Sequence, residues 1–324
     1  MYLKFEFMKK EILSSKLACP KCKYPLETIN NKLSCTNLLC DCSTEGVLKI
    51  NSKLVLIDFE NSIISLNHVK STAATSPVAR RTNISRTYDY IRKALNGNSS
   101  ITLNNIKVVE SLLLPAKERP TILIVGGGTI GAGLEEFILK YKDSIISFDV
   151  YDSPNIDFIA DGHSIPLLDS SVDVVIIQAV LEHVLQPSRV VSECYRVLRE
   201  HGVIYSETPF MQQVHEGAYD FTRFTVLGHR LLFKDFVSLR VGSTSGLGQS
   251  LLWSLEYFVS GIFRSRVLGK LIKLLFFWVR WLESIIPIEW NNDGACGCYF
   301  LGKKTSIDAL NYNELLKEFR GVVR

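Results

Sequence analysis

The chain has 324 residues, which is enough for about two domains with a full core. Hydrophobic residues make up 47% and charged residues 22%, a composition that is typical of globular proteins and excludes an intrinsically disordered chain. The formal net charge of +4 is too small to indicate nucleic-acid binding by itself. The first residues, MYLKFEFMKKEIL, carry scattered charges and no small-residue cleavage site, so we expect no secretory signal and a cytoplasmic protein.

Five of the eight cysteines lie close together near the N-terminus. Cys19 and Cys22 form a C-x-x-C pair, and Cys35 follows with either Cys40 or Cys42 as its partner. Two short cysteine pairs separated by a strand-forming stretch predict a four-thiolate zinc site, for which we prefer Cys40 as the fourth ligand. An iron–sulfur cluster can use the same ligands. Four protein ligands leave no open position on the metal, so a structural role is expected.

The segment around these cysteines resembles the small zinc-ribbon domains that precede some methyltransferases. The resemblance rests on the CPKC pair, the strand-forming stretch, the second cysteine pair and a closing apolar segment at Gly46–Ile57. Asparagine and serine replace the usual glycine–proline turn in that closing segment. The resemblance implies a domain of residues 1–60 in which the ion supplies much of the folding energy.

Residues 61–118 are predicted to form a linker and a helical lead-in to the main domain. The small polar stretch Ser71–Pro77 favours a linker. A helix is predicted at Tyr88–Leu95. The stretch NGNSS at 96–100 is expected to end it. Three arginines precede this helix and are expected on a solvated face, although a segment in this position can also cover a cofactor: Arg80, Arg81 and Arg86.

The stretch TILIVGGGTIGAG is a run of aliphatic residues that leads directly into glycines. Gly126, Gly128 and Gly131 have the G-x-G-x-x-G spacing of a nucleotide-binding turn, in which a side chain would fill the space of the nucleoside. Asp149 ends the next strand-like run about 20 residues later, where a carboxylate can accept hydrogen bonds from both ribose hydroxyls. The pattern therefore predicts a nucleoside cofactor.

Strand-like and helical patterns alternate after Asp149. Ile156–Ala160, Val172–Ile177 and Gly202–Ser206 are apolar runs that predict buried strands, and Leu181–Leu198 carries helical spacing. Alternating strands and helices predict a parallel sheet that binds its ligand at the carboxyl ends of the strands. A nicotinamide-dependent oxidoreductase would share this pattern up to Asp149.

The motifs in residues 158–209 resemble those of the class I S-adenosylmethionine-dependent methyltransferases. The matching residues occur in the family's order: Asp161, Ile165-Pro166, Asp173–Val175, Leu181-Glu182-His183, and Arg196-Val197-Leu198 with Gly202. The resemblance spans about residues 121–209 and implies an α/β fold, with a Rossmann-like seven-stranded sheet in a core of residues 119–250. Two positions depart from the family pattern: Ile124 replaces an acidic residue, and Ile130 is an extra residue in the glycine loop.

By this resemblance the cofactor is S-adenosylmethionine. Three glycines would line its methionine and ribose side: Gly126, Gly128 and Gly131. Asp149, or alternatively Asp152, would hold the ribose hydroxyls. Asp161 would accept a hydrogen bond from the adenine amino group, and Gln178 would lie beside the sulfonium through its backbone.

The stretch Glu207–Arg223 mixes polar and aromatic residues and follows the strand whose end faces the cofactor. Such a loop is expected to recognise the substrate. Methyl transfer depends mainly on in-line placement, but a base helps when the acceptor is a hydroxyl, and His183 and His215 are the candidates. The stretch resembles bacterial methyltransferases of polysaccharide and glycolipid assembly, so we expect a small-molecule or lipid-linked acceptor.

Residues 251–293 form a strongly apolar insertion that charged residues interrupt. The longest uncharged apolar run in its second half, Leu274–Val279, is too short to span a bilayer. On a helical wheel Lys270, Lys273 and Arg280 share one face, which is typical of an amphipathic helix in a membrane interface. A helical pair packed on the sheet or across a dimer interface fits the same pattern, and the oligomeric state stays open.

Residues 294–324 are predicted to form a final strand and a C-terminal helix. The resemblance implies that the strand, Gly294–Lys303, is antiparallel to its neighbours, and Cys296 and Cys298 are then ordinary strand residues rather than metal ligands. The helix is predicted at Leu310–Arg324.

The sequence therefore predicts an S-adenosylmethionine-dependent methyltransferase with a structural Zn²⁺, in the cytoplasm and in contact with the inner face of the membrane. Nucleic acid is not an expected partner of such an enzyme. Two alternatives stay open. One is a catalytically inactive methyltransferase fold whose zinc ribbon recognises RNA or a partner protein, and the other is an NAD(P)-dependent oxidoreductase.

Overall fold

The structure is a computed structural model, and its description covers residues 13–29, 32–74, 100–113, 119–306, 310 and 312–323. The helix predicted at Tyr88–Leu95 and the three arginines before it lie outside these residues.

The described residues form eleven β-strands: β1 (Leu26–Ile29), β2 (Lys32–Cys35), β3 (Leu48–Ile50), β4 (Lys53–Leu56), β5 (Ile122–Val125), β6 (Ile145–Asp149), β7 (Phe158–Ala160), β8 (Val172–Gln178), β9 (Leu198–Pro209), β10 (Val237–Ser245) and β11 (Gly297–Lys303). The same residues form nine α-helices: α1 (Leu66–Ala74), α2 (Ser100–Leu113), α3 (Glu135–Tyr141), α4 (Pro187–Val197), α5 (Val226–Leu232), α6 (Leu247–Phe263), α7 (Arg266–Leu275), α8 (Ile288–Asp293) and α9 (Tyr312–Lys317). Short 3₁₀ turns occur between several of these elements.

One large sheet organises the molecule, with the strand order β10-β11-β9-β8-β5-β6-β7-β4-β3. Six adjacent strands are parallel to one another: β4, β7, β6, β5, β8 and β9. Strand β11 is antiparallel to both β9 and β10, as predicted for the final strand. The predicted Rossmann-like α/β architecture is therefore confirmed.

Strands β5 to β11 form the expected seven-stranded sheet, and two further strands extend it beyond β7 to nine strands among the described residues. The two additional strands, β3 and β4, come from the segment that the sequence analysis assigned to the ribbon domain. Val55 and Leu56 of β4 are buried and pair with Ile159 and Ala160 of β7. This pairing satisfies backbone groups that an edge strand would otherwise expose, which explains why the segment joins the sheet.

Each central strand contributes side chains to both faces of the sheet. In β5, Leu123 and Val125 belong to the core on one face, which α4 covers, whereas Ile122 and Ile124 belong to the core on the other face, which α2 covers. Because both faces are buried, the strand reads as a continuous aliphatic run. Ile124, which replaces the family's acidic residue, is buried in the core on the α2 face.

The cysteine-bearing segment packs against the large sheet through apolar and polar contacts. Leu17 and Leu26 are buried in the core on the α4 face of the sheet. The Lys23 ammonium donates to Ser164 Oγ at 2.6 Å and pairs with Glu193 of α4 at 3.1 Å. These contacts tie the two-stranded sheet of β1 and β2 to the main domain.

Helices α6 and α7 form an antiparallel pair. A Cβ atom on Gly269 would lie 2.0 Å from Ser260 Oγ, so glycine is required where the two helices touch. The Lys273 ammonium pairs with the Glu256 carboxylate at 3.1 Å across the pair. Within the described part of the chain, no helix is both long and apolar enough to cross a bilayer.

The single amphipathic face predicted for Lys270, Lys273 and Arg280 is wrong. Helix α7 ends at Leu275, and a 3₁₀ segment follows at Phe277–Ser284. The helical wheel assumed a continuous α-helix, but the change of helix type changes the angle per residue. Lys273 also faces α6 rather than solvent, because it pairs with Glu256.

Candidate functional site

A cavity of about 800 Å³ lies at the carboxyl ends of β5, β6, β7, β8 and β9. Seven of the residues predicted to bind the cofactor or to act in catalysis contribute to its wall: Gly126, Gly131, Asp149, Asp161, Gln178, His183 and His215. Helix α1 adds His68 and Thr72, which the sequence analysis did not predict as site residues. The topology therefore brings residues from distant parts of the chain into one site.

The glycine turn after β5 requires glycine for steric reasons. Gly126 has φ +74°, and a Cβ atom there would lie 2.2 Å from Val180 Cγ2. A Cβ atom on Gly131 would lie 1.6 Å from Gln178 Oε1. The backbone of this loop therefore approaches its neighbours more closely than any side chain would permit.

Asp149 ends β6 with its carboxylate oriented by two backbone groups. Gly128 N donates to Oδ2 at 2.9 Å, and Val150 N donates to Oδ1 at 2.7 Å. Burial raises the pKa of Asp149 to about 6, although these two hydrogen bonds oppose the shift. Gly128 thus contributes through its N–H group and not through the cavity wall.

Asp152, the alternative ribose ligand, has other partners. Its carboxylate accepts a hydrogen bond from Asn51 Nδ2 at 3.0 Å and pairs with the Lys53 ammonium at 2.9 Å. These contacts attach the β3–β4 hairpin to the loop after β6. The geometry favours Asp149 over Asp152 as the carboxylate that faces the cavity.

Asp161 follows β7 and caps the 3₁₀ turn Gly162–Ser164. His163 donates to Oδ1 from its backbone N at 2.9 Å and from Nδ1 at 2.7 Å, and the Ser62 hydroxyl donates to Oδ2. Burial opposes ionisation, but these hydrogen bonds outweigh it and lower the pKa of Asp161. Ser62 was missed because it lies 99 residues from Asp161 in the chain. For His163 a local signal existed, because it follows Asp161 by two residues, the spacing at which an aspartate side chain accepts from the backbone.

Gln178 ends β8 and belongs to a hydrogen-bond network around Glu207. Its Nε2 donates to Glu207 Oε2 at 2.6 Å, while the Thr102 hydroxyl of α2 donates to Oε1 at 2.6 Å and the Tyr205 hydroxyl donates to the same oxygen. Burial raises the pKa of Glu207. The network holds the Gln178 side chain against Gly131, beside the predicted position of the sulfonium.

Glu182, His183 and His215 form a second group of polar residues at the cavity wall, named here the Glu–His–His cluster. One ligand atom of each residue lies within 4.8 Å of the others. Burial raises the pKa of Glu182 to about 7 and lowers the pKa of His183. Both histidines were predicted from the sequence and Glu182 belongs to the Leu181-Glu182-His183 motif, but no sequence pattern indicates that the three side chains meet.

The loop that carries His215 is held in place by one ion pair. Asp220 Oδ2 accepts a hydrogen bond from the His215 backbone N at 2.9 Å and pairs with Arg223 Nη2 at 2.8 Å. Arg223 Nε donates in turn to the Gln212 carbonyl at 3.0 Å. The hydrogen bond from Arg223 holds the pKa of Asp220 well below its usual range. This ionised pair therefore gives the predicted recognition loop a defined shape.

The four cysteines preferred as zinc ligands lie together: Cys19, Cys22, Cys35 and Cys40. The Sγ atoms of Cys19 and Cys40 are 3.7 Å apart, and those of Cys22 and Cys35 are 3.4 Å apart. A zinc–sulfur bond of about 2.3 Å in a tetrahedron corresponds to sulfur–sulfur distances of about 3.8 Å. The donor set and its spacing therefore fit a structural zinc ion, and Cys42 lies outside the group of four.

Comparison with known proteins shows that part of the chain is similar to one family. Residues 143–206 match the model of a family described as a methyltransferase domain. A segment of 73 residues is 40% identical to a probable S-adenosylmethionine-dependent methyltransferase of Mycolicibacterium smegmatis. That segment covers 22% of this chain and 28% of the relative. The resemblance to class I methyltransferases predicted from the sequence is confirmed.

Solved structures with a similar arrangement include two methyltransferases. A protein from Galdieria sulphuraria that is named a putative sarcosine dimethylglycine methyltransferase is 17% identical to this chain. The match has a TM-score of 0.38 and covers 62% of this chain and 86% of that one. Phosphoethanolamine N-methyltransferase 2 of Haemonchus contortus, solved with S-adenosyl-L-methionine, is 13% identical, with a TM-score of 0.42 over 70% of this chain and 59% of that one.

Proposed function

We propose that this chain is an S-adenosylmethionine-dependent methyltransferase that acts on a small, lipid-linked acceptor. The observation that carries the proposal is the cavity at the carboxyl ends of the parallel strands. One part of its wall holds the glycine turn and two carboxylates, and another part holds the Glu–His–His cluster and the recognition loop. The family match over residues 143–206 supports the activity.

The residues on the donor side fit a nucleoside with a methionine side chain. Asp149 presents a carboxylate oriented by two backbone N–H groups, and it holds the ribose hydroxyls. Asp161 accepts a hydrogen bond from the adenine amino group. Gly126 and Gly131 keep the space beside the cofactor free of side chains, and Gln178 lies beside the sulfonium.

The bound cofactor supplies a methyl group on a sulfonium, whose leaving group is a neutral thioether. The chain therefore has two tasks, which are to hold donor and acceptor in line and to keep water out of the cavity. His183 and His215 line the cavity, and this supports their proposed role as general base for an acceptor hydroxyl.

The helices after β10 support a lipid-linked acceptor. Phe258, Val267 and Trp281 are exposed to 66%, 67% and 69%. Large apolar side chains that remain in water are unfavourable, and a group of them on one region indicates a contact surface. Trp253 of α6 lines the cavity, so this apolar region adjoins the proposed active site. We propose that it rests in the membrane interface.

We also propose that the zinc ribbon has a structural role. A Zn²⁺ ion held by Cys19, Cys22, Cys35 and Cys40 supplies folding energy to a segment that packs on the main sheet. With four protein ligands the ion has no open position, so its role is structural.

Calorimetric titration with S-adenosylmethionine, S-adenosylhomocysteine and NADH tests the proposed cofactor. We expect micromolar binding of the two sulfur nucleosides and none of NADH, with an affinity more than tenfold weaker in Asp149→Ala. Binding of NADH alone would indicate an oxidoreductase. A folded, zinc-loaded protein that binds none of the three would favour the inactive binding protein. The acceptor is then tested by measuring the transfer of a labelled methyl group from S-adenosylmethionine to lipid-linked sugars and, separately, to water-soluble sugars. The proposal expects transfer to the lipid-linked sugars.

A further inference from the structure

In the Glu–His–His cluster, the carboxylate oxygens of Glu182 lie near the imidazole nitrogens but form no hydrogen bond with them. His183 Nε2 lies 3.6 Å from Glu182 Oε1. Neither carboxylate oxygen of Glu182 has a hydrogen-bond partner among the described residues, and the residue is fully buried. An unpartnered buried carboxylate is costly unless a cation or a proton neutralises it.

The partners of the two imidazole rings determine which nitrogens are free to bind. His183 Nδ1 lies 2.8 Å from the Tyr219 carbonyl oxygen, which can only accept, so Nδ1 carries the proton. His215 Nδ1 lies 3.3 Å from Asp220 Oδ2 and 3.4 Å from the Gln213 carbonyl oxygen, which are also acceptors. In both rings the Nε2 atom is therefore the one with a lone pair.

This arrangement is the one that metal-binding histidines adopt. A histidine ligand commonly donates its second ring N–H to a carbonyl or a carboxylate, which fixes both the tautomer and the ring orientation. Both orienting partners, Tyr219 and Asp220, belong to the recognition loop. The ring centroids of His183 and His215 are 4.9 Å apart with the planes at 73°, and one nitrogen of each ring lies within 4.8 Å of the other and of a Glu182 carboxylate oxygen.

The surrounding charges favour a cation. The charged groups near Glu182 include Arg223, Asp220 and Glu216, which is one positive against two negative groups. Arg223 is already paired with Asp220. Together with Glu182 itself, the region has an excess of negative charge.

We propose that Glu182, His183 and His215 bind a divalent transition-metal ion, separate from the zinc of the four cysteines. Two imidazoles and one carboxylate suit zinc, iron(II) or manganese(II). Three protein ligands leave coordination positions that face the cavity. Those positions select an acceptor that offers an oxygen atom, such as a hydroxyl or a phosphate. With both Nε2 atoms bound to the metal, neither imidazole can accept a proton, so metal binding and the general-base role are alternative uses of the two histidines. The acceptor part of this inference rests on the proposed function, whereas the metal site does not.

Metal analysis of the full chain tests the site without any activity measurement. Zinc-loaded protein is dialysed against MnCl₂ or against additional ZnCl₂, and metal content is measured per chain. We expect one manganese per chain, or a second zinc, in the wild type. Glu182→Gln and His215→Ala should weaken that binding more than tenfold, because each removes a ligand. His201→Ala is the control, since His201 is an exposed residue of β9 that does not line the cavity.

S-Adenosylhomocysteine binding, measured on the same samples, shows that each variant is folded and separates the two proposals. If the wild type binds the nucleoside but neither metal, or if the cluster variants bind metal as the wild type does, the metal site is wrong. If metal binding depends on the cluster but no nucleoside binds, the metal site stands and the methyltransferase proposal fails.

Discussion

At the scale of single residues, Asp149 shows how its surroundings set the properties of a side chain. The backbone N–H groups of Gly128 and Val150 orient its carboxylate, while burial raises its pKa to about 6. The sequence predicted this residue from its place after a strand, because the carboxyl end of the second strand lies beside the glycine turn. The pKa depends on burial, which only the packing of the folded chain determines.

The raised pKa of Asp149 leads to a testable dependence of cofactor affinity on pH. Ribose hydroxyls donate to the ionised carboxylate, and the group becomes protonated as the pH falls through about 6. We therefore expect calorimetric affinity for S-adenosylhomocysteine to be about tenfold weaker at pH 5 than at pH 7. Asp149→Asn should bind weakly at both pH values. Equal pH dependence in wild type and variant would assign the effect to another group.

At the scale of elements, the cysteine-bearing segment shows what spacing can predict. The C-x-x-C pair and the second pair identified four thiols that lie together in the structure. Spacing left Cys40 and Cys42 as alternatives, because both can reach the site along the chain. The three-dimensional grouping, which includes Cys40, supports the preference for that residue.

We predict one structural zinc ion per chain that depends on Cys35 and not on Cys42. Cys35→Ser removes a ligand, so the zinc content should fall well below one and the melting temperature should decrease. Cys42→Ser, a matched change in the same segment, should leave both unchanged. Zinc content and thermal unfolding of the two variants give the comparison, and equal zinc loss in both would place Cys42 in the site.

The helices after β10 lead to a prediction about membrane binding. Val267→Asp combined with Leu271→Asp introduces charge on the exposed side of α7, where these residues are 67% and 54% exposed. We expect sedimentation with anionic lipid vesicles to decrease more than tenfold, because charged groups disfavour insertion into the interface. Leu139→Asp, at a 73% exposed site on α3, is the control and should bind as the wild type does.

Unchanged sedimentation of the α7 double variant would reject the membrane contact. Size-exclusion chromatography of the same protein then tests whether the exposed apolar residues form a dimer interface instead. A change from dimer to monomer would show that the exposed apolar residues meet a second copy of the chain.

At the scale of the whole molecule, the N-terminal segment and the main domain share one sheet and one core. Strand β4 pairs with β7, and Leu17 and Leu26 are buried with residues of the main domain. Two parts connected in this way are expected to unfold together.

Leu56→Ala tests this coupling. Leu56 is fully buried where β4 meets β7, so its truncation should lower the free energy of unfolding by about 2–5 kcal/mol in a single denaturant transition. Leu48→Ala is the control in the same hairpin, because Leu48 is 43% exposed and should change stability little. Two separate transitions, with only the first one affected, would show that the segment folds independently.

The sequence by itself determined the features that depend on the spacing of residues along the chain. The aliphatic run before the glycines, the acidic residue after the next strand and the paired cysteines each occur at a characteristic spacing along the chain, although the residues themselves meet across 13 to 21 positions. For that reason the α/β class, the position of the cavity along the strands and the four clustered thiols could be predicted before the structure was considered.

Only the tertiary structure decided which distant residues meet. It paired β4 with β7, turned Lys273 toward Glu256, and brought His215 to the buried carboxylate of Glu182. These contacts join segments that are far apart in sequence, and their formation depends on complementary surfaces and on loop closure rather than on local preference. The donor side of the site was therefore accessible to sequence reasoning, whereas the chemistry of its acceptor side depends on the folded chain.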